Sequence, residues 1–241
     1  MAPPVHVLAA FGVEGEPTPL PGGRGRSWRA GVLVLKPLDR APSQLAWEAE
    51  LFARVEDDGF RIARVRPDVV DGWMATEFVE GEHRPGRWRE IIGVGRRLHA
   101  ALADKPRPDF LDGLTDPWSI GDRVAWGEEP FPPLDDVLAA LEPVDGTPQL
   151  VHSDLTGNVL FDPTLPPAII DFSPYWRPPE FASAVVVADA LCWENAPPEL
   201  AELVHPQYLL RALVFRAVTT ILFGAGEAVP EVELARRIAR G

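Results

Sequence analysis

The sequence has one cysteine, Cys192, two lysines, Lys36 and Lys105, and two asparagines, Asn158 and Asn195. A single cysteine excludes an internal disulfide and any CxxC metal site. The longest run without Asp, Glu, Lys or Arg is Met1–Val13, which contains Pro3, Pro4 and His6. A membrane-spanning helix needs about 20 apolar residues, so no span is expected. The N-terminus also lacks the basic start and long apolar centre of a secretory signal. Positive charge is scarce as well, with 23 Lys and Arg against 36 Asp and Glu and a net charge of −13. Binding a nucleic-acid backbone needs a basic face, so nucleic acid is not an expected partner. An acidic surface is compatible with a cationic small molecule. The absence of GxxxxGK[ST], HExxH and GxSxG removes the commonest P-loop, zincin and α/β-hydrolase readings. A cytoplasmic enzyme with no nucleic-acid or membrane partner fits these absences.

What is present is the composition of a folded protein: 241 residues, 46% hydrophobic and 24% charged. A chain this long buries roughly 70–75% of its unfolded surface and forms one large domain or two lobes. Short strands fill the first third. Val32–Leu35 is an apolar run ending at Lys36 and closed by Pro37, and Gly22, Gly23 and Gly25 precede it. Leu45, Leu51, Phe52 and Val55 then repeat at helical spacing, with Glu48 and Glu50 between them. Ile62–Val65 and Trp73–Val79 follow as strands around an Asp71-Gly72 turn. After Gly81 the period lengthens: Trp88, Ile91, Ile92, Gly95, Leu98 and Leu102 lie on one helical face. Leu134–Leu141, Phe181–Trp193, Tyr208–Phe223 and Val229–Ile238 read as further helices. Val159–Phe161 and Ala168–Phe172, with a turn-rich connector, read as a β-hairpin. The pattern predicts an α+β protein, with a strand-rich N-lobe over 1–79, a mostly helical C-lobe over 80–241 and a hinge near 76–81.

The chemistry concentrates in Leu150–Phe161 and Ile169–Phe172. If the hairpin pairs Phe161 with Ala168, Asn158 comes opposite Asp171 at the open end of the ribbon. An amide carbonyl and a carboxylate are hard oxygen ligands suited to Mg²⁺ on a nucleotide phosphate. Asp154, on the same loop, could take a proton from an attacking hydroxyl. Taken singly, Asp154 and Asp171 read as well as a turn cap and a strand end; the set of His152, Asp154, Asn158 and Asp171 argues for a site. Upstream, the glycine-rich turn can offer backbone N–H groups to phosphate. Lys36, inside an apolar run, needs an anionic partner, which Glu48 and a bound phosphate would supply.

These residues together resemble the aminoglycoside phosphotransferase group of the protein-kinase-like superfamily. The resemblance takes in the glycine-rich turn, Lys36, Glu48, the hinge, His152-Ser153-Asp154, Asn158 and Ile170-Asp171-Phe172, and more loosely Leu98-His99-Ala100. It implies a two-lobed kinase-like fold, with ATP or GTP as co-substrate and Mg²⁺ as cofactor. It implies Asp154 as catalytic base, Asn158 and Asp171 as metal ligands, and Lys36 on the phosphates paired with Glu48. Adenine would lie against the backbone of Glu77, Phe78 and Val79, and His152 would organise the loop. The acceptor would be a small-molecule hydroxyl. The chain departs from the family twice: four positions separate Asp154 from Asn158 where the family has five, and the glycines do not form GxGxxG. The short loop leaves a second reading, a catalytically degenerate nucleotide- or partner-binding module; a Mg²⁺-dependent phosphohydrolase would leave Lys36 and the hinge without a role.

Other residues divide between chemistry and structure. His83, His99 and His205 have no ligand spacing. Asp135-Asp136 reads as a helix N-terminal charge pair. Trp126, Trp176 and Trp193 fit a core or an acceptor pocket. Asp189, within an apolar helix, requires a buried partner or a cleft.

Overall fold

The computed structural model describes residues 1–21, 25–55, 59–226 and 228–240. In chain order the elements are α1 (Val5–Ala10), β1 (Thr18–Pro19), β2 (Trp28–Ala30), β3 (Leu33–Pro37), α2 (Pro42–Ala53), β4 (Arg61–Ile62), β5 (Trp73–Glu77), α3 (Trp88–Ala101), α4 (Pro117–Ala125), α5 (Asp135–Leu138), β6 (Gln149–His152), β7 (Val159–Leu160), β8 (Ala168–Ile169), β9 (Pro174–Arg177), α6 (Pro179–Trp193), α7 (Pro206–Thr220) and α8 (Pro230–Ala239). They form two compact units, Met1–Glu82 with Leu160–Asp171, and His83–Val159 with Phe172–Gly241. The division differs from a single cut after residue 79 because the chain returns to the first unit at Leu160. There β8 pairs in parallel with β4, Arg61 facing Ala168 and Ile62 facing Ile169, a pairing between distant segments that no local pattern encodes. The expected hairpin is thus part of a three-stranded sheet ordered β4-β8-β7, and Phe161 lies past its end, bridged to Glu82.

The first unit is built on an antiparallel sheet ordered β1-β2-β3-β5. Val32, expected in the strand, is exposed, because Gly31 and Val32 form the two-residue turn between Ala30 and its partner Leu33. Gly31 has the positive φ of +57° that such a turn requires. Side chains alternate across the sheet. Leu33 and Leu35 pack with Val7 and Leu8 of α1, Trp73 and Ala75. Lys36 is one step out of phase with them and stands opposite Met74, which packs with Leu45 of α2. Period two therefore delivers the lysine to the α2 face.

The second unit is organised around α6 and α7. Every residue of α7 from Tyr208 to Thr219 is buried, so this helix has no polar face to give it an amphipathic signature. Together with the π-helical turn Ile221–Ala225 that follows, it is long and apolar enough by composition to cross a membrane, contrary to the expectation of no such segment; most of its apolar stretch is buried inside the protein. Helix α4 approaches it closely at Gly121, where a Cβ would lie 2.7 Å from the Phe215 carbonyl oxygen. Asp136 pairs with Arg236 of α8 at 2.9 Å.

Candidate active site

In the first unit, Lys36 Nζ lies 2.8 Å from Asp39 Oδ2 and 2.8 Å from Asp171 Oδ1. Asp171 follows β8 with φ +50°, a left-handed conformation that Asp tolerates better than most residues. Glu48 departs from expectation: its partner is Arg40, whose Nη1 lies 2.9 Å from Oε2. Arg40 also reaches Asp39 through Nε at 2.9 Å and Asp171 through Nη2 at 3.2 Å. The planar guanidinium can serve three carboxylates in different directions, whereas an ammonium is a single point of charge. Burial, against the pull of Arg40, pushes Glu48 up to about 7. Burial also works against Asp171, but Lys36 and Arg40 outweigh it and hold this carboxyl below its ordinary value.

The remaining first-unit candidates occupy turns and a strand end. Gly25, at φ +68°, lies in the exposed turn between β1 and β2; Gly22 and Gly23 fall outside the described residues. Glu77 ends β5 and donates its N–H to the Arg64 carbonyl, and Phe78 donates to Val32, each at 2.8 Å. Val79 follows, half-buried.

In the second unit, β6 and β9 pair antiparallel, with His152 facing Pro174. The buried His152 ring accepts at Nδ1 from the Asp154 and Ser173 N–H groups, at 3.4 and 3.3 Å. The His152 backbone N–H donates to His99 Nε2 at 3.1 Å. Burial, with His152 beside it, drives the His99 imidazole down to about 3 and keeps it a neutral acceptor. Gly95 lets α3 receive the loop, since a Cβ there would collide with Leu155 Cδ1. The loop then turns on Asn158, whose Nδ2 donates to the Asp154 carbonyl at 2.7 Å and to Asp154 Oδ2 at 3.2 Å. Asp154 Oδ1 accepts from Arg216 Nη2 at 2.7 Å. Arg216 also makes a two-point contact with Asp189, Nε to Oδ1 at 2.8 Å and Nη2 to Oδ2 at 2.7 Å.

Residues 23–175 match the family model described as the phosphotransferase enzyme family. This protein belongs to that family. No curated protein matches it in sequence. Its fold is shared with solved kinase-like phosphotransferases. The macrolide 2'-phosphotransferase MphH from Brachybacterium faecium aligns at 17% identity and TM-score 0.53, over 98% of this chain and 97% of the other. The choline/ethanolamine kinase family protein from Mesorhizobium loti aligns at 17% identity and TM-score 0.52, over 95% and 88%. The APH(2")-IIa chain of a streptomycin–ATP ternary complex aligns at 16% identity and TM-score 0.53, over 95% and 94%.

Within this phosphotransferase, sequence reading missed Asp39, Arg40 and Arg216. Nothing local distinguishes Asp39-Arg40 from an ordinary loop pair. For Arg216 a signal existed: Asp189 in an apolar helix demands a cation, but not one identifiable 27 residues away among 21 arginines. Trp126 packs against Phe181 and Tyr208, with ring centroids at 5.5 and 6.4 Å, as a core residue does. Trp176 instead lines a cavity of about 230 Å³ with Tyr175, Arg107, Asp112, Asp122 and Arg177.

Proposed function

We propose that this protein is an ATP- or GTP-dependent phosphotransferase that moves the γ-phosphate onto a hydroxyl of a small molecule. The observation that carries the reading is the 2.8 Å contact of Lys36 Nζ with Asp171 Oδ1, which joins two motifs 135 positions apart. Asp154 takes the proton of the acceptor hydroxyl as its oxygen bonds to phosphorus and the bond to the nucleoside diphosphate breaks. Lys36 neutralises phosphate charge. Adenine lies along Glu77–Val79, and Gly25 lines the phosphates.

Asn158 and Asp171 suit Mg²⁺ by donor type. The Asn158 amide nitrogen is turned onto Asp154, which directs the hard amide oxygen elsewhere, and Asp171 is kept ionised. Asn158 and Asp171 would hold the ion, which when bound offsets the charge of the transferred phosphoryl group. The neighbours support a small-molecule acceptor: one is solved with streptomycin and ATP, another is a macrolide phosphotransferase and a third belongs to the choline/ethanolamine kinase family.

The test is nucleotide consumption across a chemically diverse panel of alcohols, amino sugars and antibiotics, with Asp154→Ala as control. Acceptor-dependent nucleoside diphosphate release that the control abolishes supports the proposal. Binding of Mg-ATP with no transfer to any panel member overturns it in favour of a binding module.

A further inference from the structure

We infer that Arg216 is a positioning residue for Asp154, anchored from behind by Asp189. The inference rests on the reading of Asp154 as the base. Arg216 lies on α7, a helix buried on all sides, and its side chain is 8% exposed. A guanidinium there is costly unless paired, and Asp189, 1% exposed, pairs it completely through a two-point contact. A purely structural pair would be finished at this stage. Instead Nη2 also holds Oδ1 of Asp154, whose side chain is 34% exposed. The two neighbouring carboxylates outweigh burial and keep the arginine charged.

The contact divides the two oxygens of Asp154. Oδ1 is held at 2.7 Å by a rigid, charged donor, whereas Oδ2 has, among the described residues, only the 3.2 Å contact from Asn158. Two restraints, one on each oxygen, fix the plane of the carboxylate and leave Oδ2 as the oxygen for the acceptor proton. Phosphoryl transfer depends on positioning more than on the strength of the base, so orientation is what this contact supplies. The loop has one residue fewer between Asp154 and Asn158 than the family pattern it resembles, and Arg216 braces it from another helix. Both Arg216 and Asp189 lie outside the residues matched to the family model.

The experiment measures kcat per nucleotide-binding site, KM for both substrates and nucleotide Kd by calorimetry. The variants are Arg216→Lys, the pair Arg216→Met with Asp189→Leu, and Asp154→Ala. The paired variant removes the buried cation without stranding its anion. We expect it to lose kcat about 100-fold, the effect of misplacing a reacting group by about 1 Å, with nucleotide Kd within about twofold. Arg216→Lys, which keeps a charge but not the fork, should recover about tenfold of that loss. The inference is overturned if Asp154→Ala is inactive while the paired variant keeps kcat within about threefold. If Asp154→Ala itself stays within about threefold of the parent, the base assignment fails, and the inference with it. Should the paired variant not fold, Arg216→Lys decides: a loss of about tenfold in kcat at unchanged Kd supports positioning, and an unchanged kcat overturns it.

Discussion

The two units carry charge clusters built on opposite plans. In the first, one carboxylate, Asp171, is shared by two cations, Lys36 and Arg40, which Asp39 and Glu48 hold in turn. In the second, one cation, Arg216, is shared by two carboxylates, Asp154 and Asp189. The difference teaches what each half is suited to. Two cations on Asp171 suit a place where a carboxylate must stay ionised. A single cation behind Asp154 suits a group that must keep its orientation while one oxygen remains available for a proton.

The sharpest way to break this comparison is Asp154→Ala. Turnover should fall on the order of 10²–10⁴-fold while nucleotide affinity stays nearly intact; a loss smaller than about threefold removes Asp154 from proton transfer. Asp171→Ala should act on the other side, weakening Mg-nucleotide binding by about tenfold or more, the scale of one charge-assisted contact. Calorimetry showing unchanged binding would remove it as a ligand. Arg40→Met leaves Glu48 buried without its cation, and urea unfolding should report a loss of about 3–5 kcal/mol. Arg40→Met combined with Glu48→Leu should recover most of that loss; no recovery would mean that Arg40 stabilises through Asp39 and Asp171 instead.

The smallest effect is in pH dependence, and its sign separates the units. Glu48 is raised to about 7, so the folded state binds more protons than the unfolded chain, and this contribution is lost as pH rises through 7. His99 is lowered to about 3, so the unfolded chain binds more protons below its ordinary value, and this contribution is lost as pH falls below about 6.5. Each amounts to roughly 2 kcal/mol between pH 7 and pH 5. Relative to the parent, Glu48→Gln should make stability fall more steeply on acidification, and His99→Gln less steeply. Urea midpoints at the two pH values check both, and slopes of the same sign would contradict the assignment.

Much of the fold was legible because its signals are local. The apolar run before Lys36, the helical spacing around α2 and α3 and the strongly apolar α6 all identify their elements. Other elements gave too little pattern. Helix α1 has six residues, too few for a period, and β6 and β9 are four residues each. Helix α4 carried a usable signal that went unread: Asp116 caps it by accepting from the Trp118 and Ser119 N–H groups at 3.1 Å, and Pro117 follows. Among the candidate residues, Lys36, Asp154, Asn158 and Asp171 stood out because polar residues at the ends of apolar runs are conspicuous. Their partners did not. Glu48 was matched to Lys36 because both were visible, while Arg40 could be distinguished only by its reach.

The sequence by itself determined which residue types were available, where strands and helices alternate, and the His152–Asn158 loop with its following Asp171, since each depends on neighbours a few positions apart. Tertiary structure alone decided which charge faces which. It returned Leu160–Asp171 to the first unit and joined Lys36 to Asp171, Arg40 to Glu48 and Arg216 to both Asp154 and Asp189. The physical reason is that ion pairing depends on distance in space and on burial, and a linear spacing specifies neither once the chain has turned back on itself.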